Sequence, residues 1–362
     1  METKKTALNA IHHSLGAKMA PFGGFEMPIQ YTGVKDEHLA VRNSLGVFDV
    51  SHMGEFYIEG PKALLLLQKV CSNSVASIPI GKAQYNFLPN TEGGVVDDLI
   101  VYRLGEDCYF LVVNAANIEK DWHWISEANK AIGASMRNVS EEIDLLAVQG
   151  PKSLEAMQTL TDVDLASLPY YSVRKGNFAG IENAIIATTG YTGAGGIEVY
   201  FPNSRATEAW EKVLSAGSYY GIQPIGLAAR DTLRLEMGYC LYGHEINDTT
   251  NPITAGLGWI TKPDSANLAF ESLQNQKAIA SKQKLIGFRM IERGIPRAKY
   301  NLSNAQHEII GQVTSGTQSP SLNTGIGLGF VEKEYATVGS AIYVNIRTKQ
   351  VAAEIVKLPF YK

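Results

Sequence analysis

The 362-residue chain has few cysteines, no dense basic run and no long apolar run. Its three cysteines, Cys71, Cys108 and Cys240, are odd in number and far apart. They suggest neither a disulfide framework nor a C-x-x-C metal or redox pair, and a reducing compartment fits best. Lysine and arginine total 32 against 36 aspartates and glutamates, a formal net charge of -4. A nucleic-acid surface needs clustered positive charge against phosphate, so none is expected. No window approaches the ~18 apolar residues of a membrane span. The N-terminal METKKTALNAIHHSLGAKM lacks the apolar core of a secretory signal, so the expected setting is cytoplasmic and free of membrane. Common cofactor and catalytic signatures are missing too. GYTGAGG at residues 190–196 has no Lys-Ser/Thr after it, and no G-x-G-x-x-G joins a strand to a helix. Ser51-His52 and His12-His13 lack a nucleophile elbow or a second histidine at ligand spacing.

What is present is an ordinary globular composition, 45% hydrophobic and 19% charged, on a chain long enough for more than one core. Leu8, Ile11, His12 and Leu15 recur at helical spacing and Gly16 marks a stop, which predicts a short amphipathic helix. Residues 22–31, with a glycine pair and prolines, read as a loop, and residues 35–44 as a helix. GVFDVSHMGEFYIEG, residues 46–60, reads as paired strands. PKALLLLQKV, residues 61–70, is an apolar helix opening on proline. Strands at 95–102 and 109–113 are joined by a turn, and a helix covers 118–132. Several strand pairs have short links with no crossover helix, which predicts an α+β core of mixed or antiparallel sheets. After about residue 277, short β runs punctuated by Gly, Pro, Asn and Ser predict an all-β barrel or sandwich. The expected division is residues 1–275 and 280–362, with the boundary in the polar stretch 275–284.

Three stretches carry charge where apolar residues are expected. In GGVVDDLIVY, residues 93–102, strand alternation puts Asp98 and Tyr102 on one face and Asp97 on the other. The carboxylates therefore point apart, unlike a glycosidase pair. One alternative is that they cap the turn and sit at a solvated strand end; the other is that one of them serves a planar ligand beside Tyr102. Glu198 interrupts the strand-like GGIEVYF at 195–201, where it is either on an exposed edge or partnered by an arginine or a ligand's N–H groups. In GLAARDTLRLEMGYCLYG, residues 226–243, Arg230 and Arg234 share a helical stripe with Leu227 and Met237. The two guanidiniums either form a structural ion-pair network or meet a carboxylate such as Glu198. Carboxylates, arginine and many tyrosines together suit an aromatic heterocycle with an amino-amide edge, such as a pterin or purine.

These stretches lie among others in a specific order: GAKMAPFGGFEMPIQY, VRNSLGVFDVSHMGEFYIEG, QYNFLPNTEGGVVDDLIVY, VVNAANIEKDW, LAVQGP, GYTGAGGIEV, GLAARDTLRLEMGYCLYGHEI, GLGW and VTSGTQSPSLNTGIGLGFV. Nearly end to end, the chain resembles the aminomethyltransferase, or T-protein, family of the glycine cleavage system. The resemblance implies a multi-domain, cloverleaf-like folate-binding core around a central cavity and a C-terminal all-β barrel. It implies tetrahydrofolate as co-substrate, with no metal, flavin or nucleotide, and the lipoylated H-protein as partner. The implied reaction moves the aminomethyl carbon from the dihydrolipoyl arm to tetrahydrofolate, giving 5,10-methylenetetrahydrofolate, ammonia and the reduced arm.

By motif, Asp98 matches the family's catalytic carboxylate, and Glu198 and Arg230 match its folate-binding positions. Tyr85, Tyr102, Asn114, Tyr171, Tyr191 and Tyr239 match positions around the cavity, and Tyr361 lies where the C-terminal tail approaches the site. Relatives usually carry Glu-Asp where this chain has Ala194 and Gly195, a change that adds backbone freedom beside Glu198. Other readings of the same fold are a folate-dependent demethylase and a relative of the C-terminal halves of sarcosine and dimethylglycine dehydrogenases. A non-enzymatic folate-binding iron-sulfur assembly factor is the alternative of another class, although its usual cysteine motif is not found.

Overall fold

A computed structural model describes residues 3–279 and 281–362. The chain divides into two compact units: the chain up to Asn86 with Asp98–Arg230, and Phe87–Asp97 with Asp231–Lys362. The fold is α+β, with mixed sheets ahead of a closed C-terminal barrel.

Two sheets build the first unit. The first runs in the order Lys82–Pro89, Val95–Gly105, Cys108–Val113, Gly54–Glu59, Ser135–Asn138. A tight turn makes the second and third of these strands an antiparallel hairpin, with Leu99 opposite Val113 and Tyr102 opposite Phe110. The other sheet runs Val173–Phe178, Ile181–Ala187, Gly196–Pro202, Ile143–Gln149, Gly46–Asp49, Gln223–Pro224. Only its last pair is parallel. The helix Ala206–Gly217 buries Ala206, Ala209, Trp210 and Val213, one stripe at three- and four-residue spacing, in a core with Phe178, Val199 and Phe201.

Two local expectations are corrected. Residues 22–31 are not a loop. Lys18–Phe22 and Phe25–Gln30 form an antiparallel hairpin, and Gly23 and Gly24, at φ 58° and 89°, are its turn. Residues 46–60 do contain two strands, but these do not pair with each other. Gly46–Asp49 pairs with Ile143–Gln149, and Gly54–Glu59 pairs with Cys108–Val113, in different sheets. The buried link between them is fixed by the Ser51 amide donating to Asp49 Oδ1 (2.9 Å) and the Val50 amide to the Leu145 carbonyl (3.0 Å).

Polar groups are buried here at a cost. Asp49 accepts hydrogen bonds from Thr6 Oγ1 (2.8 Å) and is paired with His12 Nε2 (2.9 Å). Burial and then the charge of Asp49 push the Asp144 carboxyl up to about 8, and burial and then Asp144 push Glu55 well above the ordinary range. Asp144 therefore keeps in the fold a proton that the unfolded chain releases near pH ~4. The stability this contributes is full below ~4 and is lost as pH rises toward 8. Asp144→Asn is accordingly expected to gain stability over the native chain between pH 5 and 8, by at most about 1.4 kcal/mol per pH unit. Urea midpoints at the two pH values measure it; an equal difference at both contradicts it.

In the second unit, Gln283–Met290, Thr324–Glu332, Ile309–Ser319, Asn301–Ser303, Ala341–Ile346 and Lys349–Val356 close into a barrel around Phe288, Leu302, Val313, Val331, Val344 and Ile355. The last strand pairs back with the first, so barrel rather than sandwich is the outcome. Arg234 is buried in this unit. It donates to Glu245 Oε2 (2.9 Å), Asp231 Oδ1 (2.8 Å), the Tyr239 carbonyl (2.8 Å) and Ser315 Oγ (2.9 Å). Of the two arginines on the stripe, Arg234 thus has the structural role. Arg234→Ala leaves the Glu245 carboxylate buried without its cation, and the expected cost is ~3–5 kcal/mol in a urea titration. A cost below ~1 kcal/mol would remove Arg234 from the stabilising set.

Candidate functional site

Asp98 is held from both sides by its neighbouring strands. Tyr85, on the adjacent strand Lys82–Pro89, donates its hydroxyl to Asp98 Oδ2 at 2.9 Å. Asn114 follows the strand on the other side and donates Nδ2 to Oδ1 at 2.9 Å and to the Asp98 carbonyl at 3.2 Å. Donors on both carboxylate oxygens leave the side chain little freedom, and bonds to a charged acceptor are short and strong. Asp98 is half-buried on the face it shares with Tyr102. Asp97 does not occupy a solvated strand end, because it is completely buried on the opposite face.

Glu198 sits in the middle of a sheet, so the exposed-edge alternative is excluded. Its strand Gly196–Pro202 pairs on one side with Ile181–Ala187 and on the other with Ile143–Gln149. The residue is 9% exposed. Thr189 Oγ1 donates to Glu198 Oε2 at 2.5 Å and Tyr102 Oη reaches the same oxygen at 3.3 Å. Tyr102 comes from the five-stranded sheet, so these bonds join the two sheets of the unit. Behind them Tyr200 Oη lies 2.9 Å from Tyr102 Oη. Tyr200 escaped the sequence reading although it stands two residues from Glu198 on the same strand face, the only signal available for it.

Arg230 sits over the ring of Tyr191, 4.7 Å from its centroid. Burial lowers its pKa, against the opposing influence of Glu198, Tyr191 and Tyr200. The arginine is therefore within electrostatic reach of Glu198, while its close contact is the aromatic face, a cation–π arrangement. His52, set aside in the sequence as a motif fragment, is buried with its ring edge-on to Phe22 at 5.4 Å. Burial, then the charge of Arg230, lowers it to about 4, which makes it a neutral imidazole at physiological pH.

The loop between Thr189 and Glu198 is well tied despite Ala194 and Gly195. Gln149 Nε2 donates to the carbonyls of Thr189 (3.1 Å) and Ile197 (3.2 Å), and Thr192 Oγ1 donates to Gln149 Oε1 (2.9 Å). A Cβ at Gly190 or Gly196 would collide with Gln149, which explains both glycines. The Gly150 amide donates to the Gly195 carbonyl at 2.9 Å. Tyr171 adopts φ 62°, accepts the Ala83 amide (2.9 Å) and packs edge-on to Tyr170. Burial, then Glu198 and to a smaller extent Tyr171, raise the Tyr102 hydroxyl well above the ordinary phenol range.

The first unit thus contains Tyr85, Asp98, Tyr102, Asn114, Tyr171, Tyr191, Glu198 and Arg230. Tyr239 and Tyr361 belong to the second unit. There the Tyr239 carbonyl accepts Arg234, and the Tyr361 amide donates to the Glu236 carbonyl at 3.2 Å. Among the described residues no cluster of three His, Cys, Asp or Glu side chains could hold a metal, and no helix is long and apolar enough to cross a membrane.

The family model of the GCVT N-terminal domain matches residues 8–265, and that of the glycine cleavage T-protein C-terminal barrel domain matches residues 283–362. The chain is 56% identical to an aminomethyltransferase of Flavobacterium psychrophilum, with 99% of each chain covered. It is 53% identical to an aminomethyltransferase of Phocaeicola vulgatus, covering 99% of this chain and 100% of that one. Its structure is similar to the crystal structure of glycine cleavage system aminomethyltransferase T from Bartonella henselae, with a TM-score of 0.92, 31% identity, and 99% and 98% of the two chains covered.

Proposed function

The chain belongs to the T-protein family of the glycine cleavage system and is a tetrahydrofolate-dependent aminomethyltransferase; from that premise we propose which residues carry the reaction and with what partner. The carbon arrives as an aminomethyl group on the dihydrolipoyl arm of H-protein. Its bonds to sulfur and to the amino nitrogen break, two bonds to folate nitrogens form, and the two protons leaving those nitrogens end on the lipoyl sulfur and on ammonia. Tetrahydrofolate, when bound, supplies the nucleophilic nitrogens N5 and N10.

Asp98 stabilises the positive charge that the carbon carries in transit and orients the attacking N–H. A carboxylate fixed in advance has no reorganisation to undergo when that charge develops. Glu198 accepts the amino edge of the pterin, and Arg230 balances it or takes the pterin oxygen. Tyr85 and Asn114 hold Asp98. Tyr102, Tyr171 and Tyr191 are assigned to the walls. The donor set fits a pterin because it combines an acceptor carboxylate, a cation and aromatic faces. The division into residues 1–275 for folate and transfer and 280–362 for the barrel, and the cytoplasmic setting, are part of the same proposal.

The observation that supports this reading best is the two-sided clamp on Asp98, which holds a half-buried carboxylate fixed in advance of the charge it would meet. Formation of methylenetetrahydrofolate and ammonia from aminomethylated H-protein tests the reading. Turnover of a methylated amine without H-protein would favour a demethylase.

A further inference from the structure

Three hydroxyls stand behind Glu198, and their protons have one arrangement compatible with a carboxylate. Glu198 as a carboxylate only accepts, so the single proton of Thr189 must point to its Oε2, 2.5 Å away. Thr189 Oγ1 can then only accept from Tyr102 Oη, 2.8 Å away, a proton that Tyr102 shares with Glu198 at 3.3 Å. Tyr200 must in turn donate to Tyr102 across 2.9 Å. The chain therefore runs Tyr200 to Tyr102 to Thr189 to Glu198, and all its donors end on Oε2. With a proton on Oε2 every bond in the chain would reverse, so the donation from Thr189 favours the carboxylate. Thr189 is buried, 3% exposed, and Gln149 holds its carbonyl, which fixes the backbone that carries the hydroxyl. Burial keeps the Tyr102 and Tyr200 hydroxyls protonated, so the donors persist.

We propose that Thr189 is a positioning residue for the reaction: through its hydroxyl it fixes Glu198 as an acceptor, selecting ligands that offer an N–H edge, with Tyr102 and Tyr200 supporting it from behind. The inference rests on the reading of Glu198 as the pterin-binding carboxylate. The other groups facing this cluster are Arg230 over Tyr191, Tyr171 beside Tyr102 and Glu55 beyond Tyr200. Thr189 holds the carboxylate more closely than Tyr102 does, 2.5 Å against 3.3 Å.

The test is calorimetric binding of tetrahydrofolate to the full chain, with turnover measured alongside. Thr189→Val keeps the shape and removes the proton. It is expected to weaken binding about tenfold, with kcat at saturating folate within about twofold of wild type. Thr189→Ser should restore binding to within about twofold. In a Glu198→Gln background, Thr189→Val should add little, because the two act as one unit. If Thr189→Val fails to fold, Tyr200→Phe reads the same chain and is expected to cost about threefold. Unchanged binding in Thr189→Val, no rescue by serine, or a full further loss in the Glu198→Gln background would each overturn the inference. Unchanged binding in Glu198→Ala alone would instead sink the reading of Glu198. A loss there with no effect of Thr189→Val removes Thr189 only.

Discussion

Replacing Asp98 by asparagine is expected to lower turnover by about 10²- to 10³-fold, with tetrahydrofolate affinity within a few-fold of the native chain. The substitution keeps the shape of the clamp. An amide oxygen can still accept from Asn114 Nδ2, and the new NH2 can donate to the Tyr85 hydroxyl, which replaces the two bonds now made at 2.9 Å each. What is lost is the negative charge. That charge matters only while the one-carbon unit is cationic, so the loss belongs in kcat rather than in folate binding. Near-native turnover with folate binding intact would take the charge of Asp98 out of the mechanism. A parallel collapse of folate affinity would make Asp98 a binding residue instead.

The second large effect is expected at Glu198. Glu198→Ala should weaken tetrahydrofolate binding by several kcal/mol, roughly 10²- to 10³-fold or more, because a site built to accept N–H groups discriminates strongly once its acceptor is gone. The loss has internal as well as external parts. Thr189 Oγ1 and Tyr102 Oη would both lose their shared acceptor in a buried place, and Arg230 would lose the opposing charge of Glu198. Calorimetry with the intact chain measures it, and an affinity equal to that of the native protein would reject the assignment. Comparison with Glu198→Gln separates charge from shape, since the glutamine keeps one acceptor oxygen.

Much of this arrangement was legible in the residues. Period-two alternation is rigid, so the sequence alone puts Asp98 and Tyr102 on one face and Asp97 on the other. The barrel was legible because short β runs broken by Gly, Pro, Asn and Ser leave few other architectures. What resisted reading were facts set by partners distant in sequence. The strands Gly46–Asp49 and Gly54–Glu59 look like a hairpin, yet each finds its neighbour about a hundred or fifty residues away, and local pattern carries no information about such pairing. The glycine pair at 23 and 24 signalled a turn correctly, but the prolines flanking it disguised two short strands. Arg230 and Arg234 have the same spacing signal and different fates: one packs on Tyr191, while the other is enclosed by Glu245, Asp231 and Ser315. Tyr200 and Thr189 were passed over because hydroxyls have no charge to mark them as anomalies in a strand or turn. Only the distances reveal that they end on Glu198.

The most direct measurement is the forward reaction with the full chain, aminomethylated H-protein and tetrahydrofolate, following methylenetetrahydrofolate and ammonia together in single turnover. The account predicts equal yields of both products, strict dependence on the loaded H-protein, and a rate reduced about 10²- to 10³-fold by Asp98→Asn with folate already bound. Product formed without H-protein, or at an undiminished rate by Asp98→Asn, would contradict it.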